Sequence, residues 1–410
     1  MKTGLIIVPY ENVYPPKNGG MQRCFHLIHQ LAKYFDLDLI IFQEKESFLQ
    51  SVQEYPAIQN IHIHSTKNEP AGKDLFSIFP KKVAKALRYR WLRKKITGSA
   101  DGMFLEYYPI LRRIIKQRRF DFIILENLLT LDAINLIRKY NPSVRIIYDA
   151  HNVDSNLVKQ GVEKLEMDAM YLKKVQKTEA SLHKKVAAIF TCSEEDRLQF
   201  LEMNNNKVEA IVVPNGVTVS KMHDKGVKQN YPEYILFCGA LWTSANSEGL
   251  YWFYKKIWLQ VKNIFPLLKL LIVGSGKLPT KYKDLAKDTS LVFTGSVDDV
   301  KPWYDKASLA IAPLLTGSGT RLKILEAMSL GLPVISTSKG AEGINYTNGN
   351  NIIICDNDVD FANNLINLLG NKSRRLEIQE DARKLVESQY DWNLIGETVG
   401  EFINRNKKIS

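Results

Sequence analysis

Cysteine is scarce. The chain has four in 410 residues, Cys24, Cys192, Cys238 and Cys355, far apart and with no C-x-x-C pair. That excludes a disulfide framework and leaves isolated buried thiols in a reducing cytosol. Long apolar runs are missing as well. None approaches the roughly 18–20 residues of a membrane span. The opening M-K-T-G-L-I-I-V-P-Y has only a short apolar run and reads as a first strand, not a signal peptide. Internal repeats and low-complexity tracts are absent. Acidic residues are few where basic ones gather: Lys67 to Arg119 holds 15 Lys or Arg against 4 Asp or Glu, a net of +11 in a chain whose total is +12. Such a patch attracts nucleic acid, anionic lipid or an acidic acceptor. No nucleic-acid motif accompanies it, so no nucleic-acid partner is expected.

What remains is an ordinary soluble composition, 45% hydrophobic, in a chain too long for one core and suited to two domains. Gly4–Pro9 reads as a buried parallel strand, Tyr10–Gly20 as a loop, Met21–Tyr34 as a helix and Leu37–Phe42 as a second strand. This unit begins a doubly wound α/β sheet. Gly19 and Gly20 open the helix, where unpaired N–H groups can meet a phosphate. Asp36-Leu37-Asp38 has the D-x-D form of a metal site but enters a strand, and is read as a decoy. In Lys73–Lys95, leucines and aromatics interleave with cations. The stretch suits an interfacial helix on an anionic membrane, and equally a basic helix packing its apolar side on its domain. Phe120–Leu125 and Arg145–Tyr148 read as strands around a Leu131–Tyr140 helix. The second strand runs into Asp149-Ala150-His151-Asn152. His151 thus stands at a strand's carboxyl end, where doubly wound folds gather ligands. The alternative is a loop histidine bonded to backbone. Val153–Lys185 reads as one long helical region, and Val208–Val213 as the strand that closes the first domain.

The second domain restarts at Tyr234–Cys238 and enters a loop from Gly239 to Asn246. Lys269–Val273 enters the turn Gly274-Ser-Gly276, and Leu291–Thr294 enters Gly295-Ser-Val297. The stretch Ala312–Ile344 is the most informative. A strand ends at Pro313, and Thr316–Thr320 (T-G-S-G-T) is a flexible loop. Arg321–Leu330 carries Leu322, Leu325, Ala327 and Met328 on one helical stripe, and Gly331 ends it. Arg321 and Lys323 place two cations at the helix start, where they oppose the macrodipole at about 0.3–1 kcal/mol each. A bound diphosphate offsets that cost. Glu326 follows, with a carboxylate suited to a pair of sugar hydroxyls.

The run G-S-G-T-R-L-K-I-L-E-A-M resembles the donor-binding segment of family-4 retaining glycosyltransferases (glycosyltransferase group 1, GT-B fold), in the branch that replaces the full E-x7-E motif. Weaker similarity runs along the whole chain. The resemblance assigns Glu326, the second glutamate of the motif, to the donor ribose. Ser318 stands where the first glutamate would contact the transferred sugar. The resemblance implies that Ser318, Gly319, Thr320, Arg321 and Lys323 line the donor diphosphate. It also implies that Gly19 and Gly20 face it from the first loop. Gly239, Asn246 and Gly274 belong to the phosphate-side loops, and Val297 to the wall that meets the nucleobase. The arginine and lysine that the family carries after its Gly239 counterpart are absent, and Arg321 and Lys323 stand in for them. His151, in the family's D-x-H-N pattern, is placed near the transferred sugar.

The expectation is two Rossmann-like doubly wound domains facing across a cleft. Residues 1–214 would bind the acceptor, residues 215–392 the nucleotide sugar, and a final helix in 393–410 would pack back on the first. His151, Arg321, Lys323 and Glu326 are the expected catalytic group. The expected activity is retaining, metal-independent transfer from a nucleotide-diphosphate sugar to a glycan or lipid-linked acceptor in bacterial surface polysaccharide assembly. The location would be cytoplasmic, with Lys73–Lys95 meeting the inner face of the membrane. No cofactor is expected. The alternative is a non-catalytic sugar-nucleotide-binding or partner subunit, suggested by Ser318.

Overall fold

The first half forms parallel strands: the apolar runs inside the sheet are buried on both faces, as parallel sheets require, while the two edge strands are partly exposed. They are β1 (Thr3–Ile7), β2 (Asp36–Ile41), β3 (His62–Ser65), β4 (Phe122–Glu126), β5 (Arg145–Asp149), β6 (Ala188–Thr191) and β7 (Glu209–Val212). They lie in the order β3-β2-β1-β4-β5-β6-β7, every pairing parallel. The winding reverses between β1 and β4, so the carboxyl ends of β1, β4 and β5 border the crevice where such sheets bind ligands. The computed structural model describes residues 1–10, 13–16, 18–67, 107–163, 169–219, 233–317 and 321–405. Lys73–Lys95, the basic stretch, lies outside the described residues.

The second sheet repeats the plan with β8 (Tyr234–Cys238), β9 (Lys269–Val273), β10 (Leu291–Gly295), β11 (Leu309–Ala312), β12 (Val334–Ser336) and β13 (Ile353–Ile354). Its order is β10-β9-β8-β11-β12-β13, again parallel throughout, with the reversal between β8 and β11. Residues 1–214 with 395–410 make one compact unit, and 215–394 the other. In the first, Leu5, Ile7, Ile123, Leu125, Ile146 and Tyr148 pack against Ile110, Leu111, Ile114 and Ile115 of the Tyr108–Gln117 helix. In the second, Leu325, Ala327 and Met328 of the Leu322–Ser329 helix bury against Leu236, Leu271, Ala310 and Val334. Gly331 ends that helix at φ 70°, the left-handed position that favours glycine.

Three local readings change. Val153–Lys185 is not one helix. Asp154–Glu163 and Ala169–Glu179 are separate helices packed on each other, and a short 3-10 turn follows at Leu182–Lys184. A single straight helix of that length would run about 50 Å and could not fold back to bury Val158 and Val175. Leu131–Tyr140 begins as a 3-10 turn, Leu128–Ala133, before the Ile134–Tyr140 helix. β3 has no counterpart in the sequence reading. It is a four-residue edge strand, His62-Ile63-His64-Ser65, too short and polar to stand out. It explains the D-x-D pair. Arg118 binds both Asp36 and Asp38, the latter at 2.5 Å, and His64 Nε2 lies 2.7 Å from Asp38. These carboxylates are consumed in stitching the sheet edge.

Candidate functional site

Two clusters of chemistry-bearing side chains stand out, one in each unit, both at the carboxyl ends of strands beside the winding reversal. In the second unit the loops after β8, β9 and β10 are joined through their glycines. Gly239 N–H donates to Val273 O at 2.8 Å and Gly274 N–H to Gly295 O at 3.2 Å. A Cβ on Gly274 would lie 2.1 Å from Gly239 O, so only glycine permits this approach. Val297, two residues past Gly295, is half-buried against the same core that holds Leu325.

Asn246 sits in the first turn of the Ser244–Phe253 helix. Its Nδ2 donates to Ala240 O at 2.9 Å, which aims Oδ1 at Lys323, and Lys323 Nζ donates to that oxygen at 2.6 Å. The same Nζ stands 5.1 Å from the Phe237 ring centre. A Cβ on Gly239 would lie 2.7 Å from it, so that glycine leaves room for the ammonium. Burial pushes the Lys323 pKa down to about 8; Arg321 adds to the shift, while Cys238 and Glu326 oppose it. Arg321 is the N-cap of the Leu322–Ser329 helix. Its guanidinium lies against Gly317, and its buried Nε has no hydrogen-bond partner. Glu326 is one turn beyond Lys323. The Tyr304 hydroxyl lies 3.5 Å from its Oε2 and 3.3 Å from Lys323 O. Thus Arg321, Lys323, Glu326, Gly239, Asn246 and Gly274 share one end of one sheet. Ser318, Gly319 and Thr320 lie outside the described residues. Tyr304, fully buried beneath this group, had no sequence signal.

The first unit builds its cluster on Gly19–Leu31, whose N-cap Asn18 accepts from Met21 N–H at 2.9 Å. Gly19 and Gly20 are the first residues of that helix. A Cβ on Gly20 would lie 2.2 Å from the Tyr10 hydroxyl and 3.2 Å from His151 Nδ1. Its smallness therefore admits the Tyr10–His151 pair, which are 3.1 Å apart. His151 Nε2 lies 2.9 Å from Glu126 Oε2, so both ring nitrogens meet side chains rather than backbone. Cys24 Sγ donates to the same carboxylate oxygen at 3.1 Å. β4 and β5 end side by side in Glu126 and Asp149. Arg23, 1% exposed, neutralises Asp149 through contacts of 2.9 and 2.5 Å and also donates to Val213 O.

The two carboxyls diverge. Burial and the neighbouring Asp149 push Glu126 up to about 7, with His151 opposing. Burial would raise Asp149 too, but the Arg23 guanidinium outweighs it and holds that carboxyl below its ordinary value. Arg23, Cys24 and Glu126 were missed from sequence. The available signal was a charged residue set in an apolar pattern: Glu126 closing the run F-I-I-L, and Arg23 within the buried face of a helix.

Residues 232–371 match the family model described as glycosyl transferases group 1. A 44.6 kDa protein of the cps region of Klebsiella pneumoniae is 27% identical over 404 residues, covering 94% of this chain and 96% of its own. Among solved structures, sucrose-phosphate synthase from Thermosynechococcus elongatus is similar over 98% of both chains, at 14% identity and a TM-score of 0.70. HepE of Anabaena, solved with UDP and glucose, is similar over 99% of this chain and 100% of its own, at 13% identity and a TM-score of 0.63. With two Rossmann-like parallel sheets, the chain has the GT-B fold. Among the described residues no helix is long and apolar enough to cross a membrane.

Proposed function

We propose that this chain is a retaining glycosyltransferase that moves a sugar from a nucleotide-diphosphate donor to a glycan or lipid-linked acceptor during surface polysaccharide assembly. One observation carries the reading: the half-buried, largely desolvated Lys323 ammonium, beside the carboxyl end of β8, has Asn246 as its one hydrogen-bond acceptor among the described residues. A desolvated cation whose one hydrogen-bond acceptor is neutral suits a site that an anion completes. The group 1 match over residues 232–371 and the cps-region relative support the same reading. So does the likeness to a protein solved with UDP and glucose.

Arg321 and Lys323 would stabilise the diphosphate as it leaves, without a metal, because their charge is already in place before the bond breaks. Glu326 would hold the ribose hydroxyls. Gly239, Asn246 and Gly274, with Ser318, Gly319 and Thr320, would bound the phosphates, and Val297 the base. Gly19, Gly20 and His151 are assigned to the donor by resemblance. Retention would follow front-face attack, with the acceptor proton passing to the leaving phosphate. Lys73–Lys95 would hold the protein to anionic lipid, and equal sedimentation with neutral and anionic vesicles would count against that. A second reading, a sugar-nucleotide-binding partner without transferase activity, rests on Ser318 in place of the motif's first glutamate.

The test is a thermal-shift panel of UDP, GDP, ADP and CMP with their common sugars, with and without EDTA. Ligand at about 100 times its dissociation constant should stabilise the protein by roughly 2.7 kcal/mol. The expected result is a metal-independent shift with one nucleotide, lost in Lys323→Met and Glu326→Ala, and a product of retained anomeric configuration. Stabilisation without transfer or hydrolysis supports the partner-subunit reading. An inverted product rejects retention, and no shift with any compound overturns the donor site.

A further inference from the structure

We propose that Cys24, Glu126 and His151 form a binding site for one transition-metal dication of zinc-like preference. The three residues come from the Gly19–Leu31 helix, the end of β4 and the loop after β5. Their donor atoms converge. Glu126 Oε2 lies 2.9 Å from His151 Nε2 and 3.1 Å from Cys24 Sγ, and the sulfur lies 3.9 Å from the same nitrogen. A triangle with those sides has a centre about 2.0 Å from each atom, and zinc bonds nitrogen and oxygen at about 2.0–2.2 Å and sulfur at about 2.3 Å. A small displacement of the ion out of the triangle's plane lengthens all three contacts into that range. One thiolate, one imidazole and one carboxylate suit zinc, and leave the fourth tetrahedral position open.

Three further observations agree. First, Glu126 is fully buried, yet its Oε1 has no hydrogen-bond partner. Two donors crowd Oε2 while no donor reaches the other oxygen, and the neighbouring Asp149 carboxyl bears on it, an arrangement that costs free energy unless a proton or a cation neutralises the carboxylate. Second, the charges close. With Cys24 ionised, the cluster holds three negative groups, Cys24, Glu126 and Asp149, against the single cation Arg23. A dication brings the total to zero. Third, a supporting shell is present. The Tyr10 hydroxyl sits 3.1 Å from His151 Nδ1, where it would accept the N–H and leave Nε2 free to ligate. Gly20 is the residue that admits this pair. On binding, the Cys24 thiol proton and any proton on Nε2 or on the Glu126 carboxyl would leave to solvent, and the imidazole would keep its proton on Nδ1. The ion would pin the helix start to two strand ends and fix the His151 ring. This inference stands whether or not the donor reading holds.

The probe is cobalt(II), whose bond to thiolate gives a charge-transfer absorption in the near ultraviolet. The chain, stripped with chelator and dialysed, should bind one cobalt per molecule with that band, and zinc should displace it. Cys24→Ser should abolish the band. The triple variant Cys192→Ser, Cys238→Ser, Cys355→Ser should keep it. Tyr10→Phe should weaken binding by roughly tenfold, as loss of a supporting shell does. No thiolate band in the wild-type chain overturns the proposal. So does a band that survives in Cys24→Ser or disappears from a folded triple variant. If Cys24→Ser fails to fold, the triple variant alone decides, because Cys24 is then the sole thiol.

Discussion

At the residue scale, a single proton on Lys323 should govern donor affinity. Its pKa in the free protein is pulled down to about 8 by burial. The ammonium is therefore charged below that pH and neutral above it. Affinity for a nucleoside diphosphate should fall as pH rises through about 8. Lys323→Arg, whose guanidinium stays charged, should flatten that profile while binding more weakly near neutrality, because the 2.6 Å contact with Asn246 is shaped for an ammonium. Calorimetric titration across the pH range decides. A wild-type profile without a fall near pH 8 would remove Lys323 from the diphosphate. Gly239→Ala should act through the same lysine. The added methyl would lie 2.7 Å from both Nζ and Asn246 Nδ2, and Gly239 sits at φ 158°, where an L side chain is strained, so stability should fall along with diphosphate affinity.

Glu179 supports a different titration. Burial pushes its pKa up to about 7, with Asp154 adding and hydrogen bonds from Ser155 opposing. A carboxyl raised above its unfolded value stabilises fully below about pH 4.5, and that contribution is lost as pH rises to about 7. The size is on the order of 3 kcal/mol. His26, lowered to about 4 by burial, contributes with the opposite sign. The readout is therefore a difference: the stability of Glu179→Gln relative to wild type should climb between about pH 4.5 and pH 7. A flat difference would mean that the carboxyl titrates normally.

At the scale of elements, the apolar runs told most of the story because parallel strands are buried on both faces. β1, β4, β5, β8, β9 and β11 were legible for that reason, and the Leu322–Ser329 helix by its stripe. β3 was not, since an edge strand of four residues with two histidines has no such run. The site was legible where its residues are neighbours in sequence, as Arg321, Lys323 and Glu326 are. Lys323 and Asn246 are 77 residues apart, and Arg23 and Asp149 are 126 apart. Sheet order brings each pair together, and no local pattern encodes it. Gly274 tests how firmly the phosphate-side loops are joined. Alanine there would drive its Cβ to 2.1 Å from Gly239 O, a backbone atom that cannot rotate away. The loops would have to part, at about 1–3 kcal/mol, the usual range for overpacking. Denaturant midpoints of wild type and Gly274→Ala measure it, and equal values would show that the loops yield freely.

For the molecule as a whole, the chain's order is not its spatial order. The Trp392–Asn404 helix follows the second unit in sequence, yet from Ile395 onward it belongs to the first. There Phe402 meets Phe190 edge-on at 5.6 Å, the Arg145 guanidinium lies 4.5 Å over its ring, and Lys2 Nζ donates to Ile403 O at 3.0 Å. Phe402 is 3% exposed, Ile403 2% and Val399 0%, so this helix completes a core rather than decorating a surface. Phe402→Ala should then cost about 3–5 kcal/mol, the range for emptying a buried aromatic site. The loss should be confined to one unit. Amide hydrogen exchange in β5 and β6 should quicken, because Arg145 and Phe190 lie on those strands, while exchange in β8 and β11 should hold at wild-type rates. Equal acceleration in both sheets would show that the helix stabilises the molecule as a single cooperative body, and the two units would then have to be treated as one in every stability measurement.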